Sequence, residues 1–322
     1  MPKTLLYLFI LIVLIGCKEK LTKVVKYYDN GSIKETYYID KDSIENGEKI
    51  SYFPSGRVYY KTYLTKGNYK DTVYYYRNDD KNDIKFKKFF LNNDFTYYED
   101  FYTNGNMGQK GVLNDNDQRI GLWKNYDKDG NHHFTKEYKI IDGIEYTNQM
   151  WITLPTGDTL TEGVSIQYHF DKNKLQLTDS IYAFFQTDVS SFVLEDQEKT
   201  KVSVVLPKDY TKANFVPDFS NRAKDPGEKE GIPAIEIQSL KEHPNPMAVL
   251  QNPIDTTDYK KTVAFYWKPK RTGKDTIRGY FKEKLTLVDE SKPIQLDKDQ
   301  DSIITSYTKQ IFFEFPVEVT KD

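Results

Sequence analysis

The sequence predicts an all-β protein, with an N-terminal array of about six β-hairpin repeats of roughly 25 residues followed by a β-sandwich domain. Two patterns predict this fold. Aromatic residues recur every 24 or 25 residues through the first half, and apolar and polar residues alternate through the second half. The 322 residues suffice for about two domains, and an aromatic content of 15% argues against a disordered chain.

The first 16 residues have the composition of an exported signal peptide. Lys3 precedes the apolar run 5–15, which is too short to span a bilayer. The run ends in Leu14-Ile15-Gly16-Cys17, which resembles a bacterial lipobox, in which the cysteine carries the lipid. The resemblance implies lipidation of Cys17, a linker over 17–23 and anchoring in the bacterial cell envelope, where we expect the outer membrane. An ordinary signal peptide with an incidental cysteine is the alternative.

Residues 24–157 hold the repeats. Strand-favouring residues surround turns that contain Asn-Gly, Ser-Gly or Asp-Gly, so each repeat is predicted to form one hairpin. The predicted ladder of stacked aromatics is Tyr27, Tyr52, Tyr76, Phe101, Tyr126 and Trp151. The predicted turn glycines are Gly31, Gly56, Gly105 and Gly130. Such a fixed period predicts an array in which neighbouring units stack.

Gly121-Leu122-Trp123, with an aromatic, polar residues and Gly130 after it, resembles the bacterial MORN-like repeats of the YwqK antitoxin type. The resemblance covers roughly residues 24–157 and implies stacked hairpins and an antitoxin-like role. Two copies depart from the pattern. The third has 77–80 (Arg-Asn-Asp-Asp) where a turn glycine is expected, and the sixth has its glycine displaced to Gly157.

Tyrosine is concentrated in the array, where 18 of the 26 tyrosines lie between Tyr27 and Tyr146. Rows of tyrosine bind sugars or peptides, because each ring has an apolar face and a hydroxyl group. Cross-strand aromatic pairs also stabilise a sheet without any ligand, so both interpretations stay open. Strand alternation predicts that neighbours such as Tyr59 and Tyr60 point to opposite faces, which leaves some rings exposed.

Residues 158–322 are predicted to form a sandwich with an immunoglobulin-like shape. Pro316 within the last apolar alternation favours an edge position. The region 207–253 holds 7 of the 13 prolines and is predicted to be a long loop, either functional or plain surface. The predicted strands are 164–170, 181–187, 201–206, 232–238, 263–267, 277–287 and 311–319.

No catalytic, metal or cofactor site is predicted. The four histidines are His132, His133, His169 and His243, and none forms the i, i+4 pair with a glutamate that marks a helical zinc site. Residues 125–130 resemble half of a calcium loop, but Lys136 stands where a bidentate glutamate is required. Residues 297–301 have the same defect. A net charge of −2 gives no basic excess for nucleic acid.

These observations predict a non-enzymatic, lipid-anchored envelope protein that serves as a binding or scaffolding module through its repeats. Its expected partners are the membrane, through the N-terminal lipid, and a protein or glycan ligand. Two alternatives remain: an antitoxin or immunity-like protein that neutralises a toxin at the envelope, and a carbohydrate-binding envelope protein.

Overall fold

A computed structural model describes residues 20–70, 72–92, 94–154, 156–192, 199–222, 231–250, 258–286 and 306–321. The predicted signal peptide, Cys17 and the acidic run 297–301 lie outside the described residues. The described chain is all-β, as predicted, and contains no α-helix. It divides into two compact units. The first comprises the residues up to Asp115 with Lys128–Gly130, and the second comprises Asn116–Asp127 and the residues from Asn131 onward.

The first unit is an antiparallel meander, in which strands that follow each other in sequence pair in space. Its described strands are β1 (Thr22–Tyr27), β2 (Ile33–Ile39), β3 (Gly47–Tyr52), β4 (Val58–Thr65), β5 (Asn68–Tyr69), β6 (Val73–Tyr76), β7 (Ile84–Phe90), β8 (Phe95–Phe101) and β9 (Met107–Asn114). The sheet order is β1-β2-β3-β4-β6-β7-β8-β9, and the short β5 pairs with β4. The predicted hairpins are therefore neighbours in one sheet.

Five ladder aromatics occupy the same position in their hairpins. Each ends the first strand of its hairpin, directly after a shift in pairing register. These residues are Tyr27, Tyr52, Tyr76, Phe101 and Tyr126. The shift arises because the second strand carries one extra residue, a β-bulge. Trp151 lies earlier in its strand, and Thr153, which precedes the turn closed by Gly157, takes the corresponding place.

The turn after each ladder residue needs a left-handed backbone. Gly31, for example, has φ 82° and donates its N–H to Tyr28 O, as expected of a turn that ends in a bulge glycine. In the irregular third hairpin Asn82 adopts φ 52° in place of the glycine. Its carboxamide bonds to Arg77 O at 2.8 Å and to Val58 O at 2.9 Å. The third turn is thus built around asparagine.

The period of the repeat has a direct cause in turn-to-turn hydrogen bonds. Tyr28 Oη donates to Tyr52 O at 2.7 Å, and the Arg77 guanidinium donates to Phe101 O, in each case 24 residues apart. Asn104 Nδ2 reaches Lys128 O over the same separation, at 2.6 Å. A side chain at one turn therefore satisfies a backbone carbonyl at the next turn, which favours equal spacing.

The second unit contains a sandwich of two sheets. Its described strands are β10 (Arg119–Tyr126), β11 (His132–Ile141), β12 (Ile144–Thr153), β13 (Thr159–Phe170), β14 (Lys174–Gln176), β15 (Ile181–Val189), β16 (Thr200–Pro207), β17 (Ala234–Gln238), β18 (Thr262–Trp267), β19 (Gly273–Thr286) and β20 (Ser306–Thr320). One sheet has the order β10-β11-β12-β13-β15-β18, and the other has the order β14-β20-β19-β16-β17.

The sandwich core lies between these sheets. Phe185 of β15, Val204 of β16 and Phe313 of β20 are each at most 1% exposed and belong to one apolar cluster. All seven strands predicted within 158–322 are confirmed, and among the described residues of this range the three-residue β14 is the one strand that was not predicted. Pro316 lies in β20, which is not the outermost strand. The outer neighbour β14 pairs only with 318–320, so Pro316 interrupts no ladder on that side.

The proline-rich region 207–253 packs on the outer faces of the sandwich over its described parts. Phe215 and Phe219 are buried in a cluster with Tyr280 and Phe312. Leu240 is buried with Tyr182 and Ala264 on the other sheet. The region also forms two short 3-10 turns, Leu240–Glu242 and Pro246–Ala248. Its described parts therefore contribute apolar burial to the sandwich.

Side chains of strand β12 form hydrogen bonds with the backbone of β20. The fully buried Asn148 accepts from Phe312 N at 2.7 Å and donates to Phe312 O at 3.0 Å, as a paired strand would. The Tyr146 hydroxyl donates to Gln310 O at 2.7 Å. These bonds satisfy backbone groups of β20 that would otherwise be buried without a partner.

An aromatic groove as the candidate functional site

A groove of about 430 Å³ lies on the first unit, where its second and third hairpins meet. We call it the aromatic groove. It is lined by Phe53, Tyr59, Tyr75, Tyr76, Arg77, Asn78, Asp79, Lys85, Phe86 and Thr103. Half of these residues are aromatic and half are polar. This composition is typical of sites where an apolar floor holds a ligand and a few polar groups orient it.

The β-bulge of the second hairpin brings Tyr59 into the groove. Tyr60 pairs with Ser51 and Val58 pairs with Tyr52, so Tyr59 is the extra residue between them. Strict alternation predicts opposite faces for Tyr59 and Tyr60, and this prediction is wrong. The ring centres of both lie within 6 Å of that of Tyr75, at 5.8 Å and 5.7 Å. The bulge breaks the alternation and gives one face an additional ring.

The floor of the groove is a row of aromatic rings in contact. Phe53 and Tyr59 have ring centroids 4.9 Å apart, and Tyr59 packs edge-on against Tyr75. Tyr75 stacks on Phe86 with centroids 4.3 Å apart, and Phe86 lies 5.4 Å from Tyr98. The row crosses four strands, so each ring holds its neighbours in place.

Tyr59 is the most accessible ring of this row, with 40% of its surface exposed. At the inner end, burial raises the pKa of Tyr98 to about 12, with the Asp100 carboxylate adding to the effect. Tyr98 therefore stays neutral over the physiological range. Within the row, solvent exposure is therefore greatest at Tyr59 and lower at Tyr98.

Polar side chains form the rim on the side of the third turn. Arg77 donates to Phe101 O, while its Nε is buried with no hydrogen-bond partner among the described residues. Asp79 accepts from Asn82 N through one carboxylate oxygen, and Ser55 Oγ donates to Asn78 Oδ1 at 2.8 Å. Asp79 thus uses one carboxylate oxygen within the turn and can accept a further bond through the other.

A charged cluster adjoins the aromatic row at Tyr60. Lys49 Nζ lies 2.9 Å from Glu45 and 3.3 Å from Glu35, and Tyr60 Oη donates to Glu35 at 3.2 Å. Burial alone would lower the pKa of Lys49, but the hydrogen bond to Glu45 and the charge of Glu35 raise it. Burial and then Glu35 raise the pKa of Tyr60. These groups pair with each other through ion pairs and a hydrogen bond, so the cluster holds Tyr60 in place beside the row.

The predicted site residues lie at different distances from this groove. Of the ladder residues only Tyr76 lines it. Tyr27, Phe101 and Tyr126 end strands of other hairpins, whereas Gly56 closes the turn of the second hairpin, between Phe53 and Tyr59. Sequence reasoning missed the central residue, Tyr59. One signal was present, since the third repeat lacks its turn glycine at 77–80, and that irregular turn forms the rim.

The histidines do not form a cluster that could bind a metal ion among the described residues. His132 Nε2 lies 2.9 Å from Thr135 Oγ1, and His243 Nδ1 accepts from Asn245 N. The described residues contain no group of three or more His, Cys, Asp or Glu side chains that could hold a metal ion. Asp127, in the half calcium loop, bonds to Asn131 within the turn at 2.8 Å. Among the same residues, no helix has the length and apolar character needed to cross a membrane.

Lys309 of β20 is half-buried and has no carboxylate at its amine among the residues that the structure describes. Lys309 Nζ donates to Thr147 O at 2.7 Å and to the Tyr146 hydroxyl at 3.0 Å. Burial lowers the pKa of Lys309 to about 8, and burial raises that of Tyr146 to about 12. None of the described pockets is lined by Lys309. Its contacts are those of a structural bridge between β12 and β20.

Comparison with protein-family models and with curated protein sequences finds no match for this chain. Function is therefore inferred from the residues and from the aromatic groove.

Proposed function

We propose that this chain is a non-enzymatic, lipid-anchored binding module of the bacterial cell envelope, and that the aromatic groove is its ligand site. Cys17 carries the anchor in this proposal, on the strength of its lipobox-like setting after the apolar run 5–15. The hairpin array then presents the groove to an envelope ligand. A protein or a glycan is the partner expected from the sequence.

The proposal is supported by the row of rings, in which Tyr59 is the most exposed member. Scattered surface aromatics need no functional explanation, but a contiguous apolar surface with a polar rim is typical of a binding site. The groove has both an apolar floor and a polar rim, which supports a binding role.

Groove occupancy in living cells tests the ligand site without any knowledge of the ligand. Cys17 is the only cysteine, and lipidation removes its thiol, so Thr103→Cys would place a single reactive thiol on the rim. Asn68→Cys, in the exposed β5, is the matched control. A small membrane-permeable maleimide should label Thr103→Cys several-fold more slowly in cells than in the purified protein.

The control should label at the same rate in both settings. Equal labelling of Thr103→Cys in cells and in the purified protein would mean that the groove is empty in the envelope, and the proposed ligand site would be wrong.

The mass of the purified chain tests the anchor. Cys17→Ala removes the lipidation site, so this variant should lack the mass that the lipid adds. Cys17→Ser should give the same result, because serine cannot carry the thioether. A wild-type chain without lipid mass would overturn the anchor and leave the groove untouched.

A further inference from the structure

We propose that the ligand of the aromatic groove is an oligosaccharide of pyranose sugars. This inference rests on the proposed function, because it names the ligand class for the same site. A pyranose has an apolar face made by its C–H groups and a periphery of hydroxyls. It therefore needs a ring surface to lie on and polar side chains around that surface.

The row of rings is long enough for a chain of linked sugars. Phe53, Tyr59 and Tyr75 follow each other at centroid distances of 4.9 Å and 5.8 Å, and Phe86 continues the row at 4.3 Å. The row is elongated and open to solvent at Tyr59, which is 40% exposed. A compact ligand would use one ring, whereas a linear oligosaccharide would contact several.

The rim supplies the polar partners that hydroxyl groups require. Arg77 and Lys85 are donors, Asp79 is an acceptor, and the Asn78 carboxamide and the Thr103 hydroxyl provide both functions. A mixture of donors and acceptors around an aromatic floor fits a neutral polyhydroxyl ligand.

A proline-rich peptide is the main competitor, since extended peptides also dock on aromatic surfaces. Such a ligand offers mainly backbone carbonyl acceptors, so Asn78, Asp79 and Thr103 would accept fewer hydrogen bonds from it than from sugar hydroxyls. The lining therefore favours a sugar.

The residue at the bulge position distinguishes the second hairpin, which contributes to the groove, from the other hairpins compared. The bulge position filled by Tyr59 holds Lys34 in the first hairpin, Lys85 in the third, Gly108 in the fourth and His133 in the fifth. Among these five hairpins, the second alone places a tyrosine there, next to the ring row of the third. The surface is thus a local feature of two hairpins.

Calorimetric titration of the detergent-solubilised full chain with cellotetraose, chitotetraose and maltotetraose, three neutral chains of pyranose sugars, tests the ligand class. We expect at least one sugar to bind with a micromolar to millimolar Kd. Tyr59→Ala should weaken that binding by about tenfold or more, because the sugar loses its exposed stacking surface. Tyr59→Phe should retain it, since the ring is kept.

The matched control is Tyr63→Ala, which removes another exposed tyrosine of β4, next to Lys70 and away from the groove. This variant should bind as the wild type does, and circular dichroism should show that all variants fold. No binding by any of the three sugars, or equal weakening by Tyr59→Ala and Tyr63→Ala, would overturn the oligosaccharide assignment.

A proline-rich decapeptide, added in a parallel titration, distinguishes the two failures. If the peptide binds in a Tyr59-dependent way and the sugars do not, the ligand class is wrong and the groove remains a binding site. If Thr103→Cys is also unprotected in cells, the proposed function itself is wrong.

Discussion

The hairpin array and the sandwich are both antiparallel β-structure, yet their stability has different sources. Among the described residues of the first unit, the buried apolar side chains are Leu64, Val73 and Leu113. The sandwich instead buries a continuous apolar cluster drawn from both sheets. The array is held by half-buried rings and by polar bonds from turn to turn. It therefore keeps aromatic surface accessible, which a buried core does not allow.

Replacing a packed aromatic ring by alanine should give the largest difference in unfolding free energy between the two regions. Phe281→Ala removes a ring that is 1% exposed in the sandwich and should cost about 3–5 kcal/mol of unfolding free energy. Phe86→Ala removes a half-buried ring of the array and should cost about 1–2 kcal/mol. Urea unfolding followed by circular dichroism measures both. Equal costs would contradict the distinction drawn between the two regions.

The contact between β12 and β20 should show the next largest effect. Asn148→Ala leaves the backbone N–H and C=O of Phe312 buried without their partner and should cost about 3 kcal/mol. Asn68→Ala, at an exposed position of the array, is the control and should change stability by less than about 0.5 kcal/mol. A small effect at Asn148 would mean that water replaces its carboxamide.

Lys309 should make the stability of the sandwich depend on pH. The pKa of Lys309 is lowered from 10.5 to about 8 by burial, so between these values the unfolded chain binds more protons than the folded one. Wild-type stability should therefore rise, relative to Lys309→Met, by about 2 kcal/mol from about pH 7 to about pH 10.

Tyr146, with its pKa near 12, stays neutral across that window. The comparison with Lys309→Met cancels the titration of groups common to both proteins. A stability difference that does not change with pH would show that Lys309 keeps an ordinary pKa in the folded chain.

The third turn should show the smallest effect, of about 1 kcal/mol. Asn82→Gly suits the positive φ of this position but removes the carboxamide bonds to Val58 and Arg77. Because the bonds outweigh the backbone preference, we expect the variant to be less stable. Thermal unfolding measures this, and an unchanged or raised midpoint would show that the conformation of the backbone dominates.

The fold class was predictable because its signals are periodic. The spacing of Tyr27, Tyr52 and Tyr76 reflects one hairpin per repeat, and the alternation in 311–319 reflects a strand whose alternate side chains enter the sandwich core. Leu122 and Trp123 follow the same rule, since Leu122 is 61% exposed and Trp123 is 1% exposed.

The groove could not be predicted from periodicity, because it depends on departures from it. Tyr59 is displaced by a bulge, and Asn82 replaces a glycine two residues beyond the expected turn. The burial of Phe215 and Phe219 was hidden for a similar reason, since an irregular segment has no repeating pattern to reveal which side chains pack. Such positions are decided by tertiary contacts.

The central claim is that the junction of the second and third hairpins is occupied in the envelope. Maleimide labelling of Thr103→Cys in cells, with and without Tyr59→Ala, tests it most directly. We predict slow labelling with Tyr59 present and several-fold faster labelling without it, while Asn68→Cys labels equally in both backgrounds. Rapid labelling of Thr103→Cys in cells that is unaffected by Tyr59→Ala would contradict the claim.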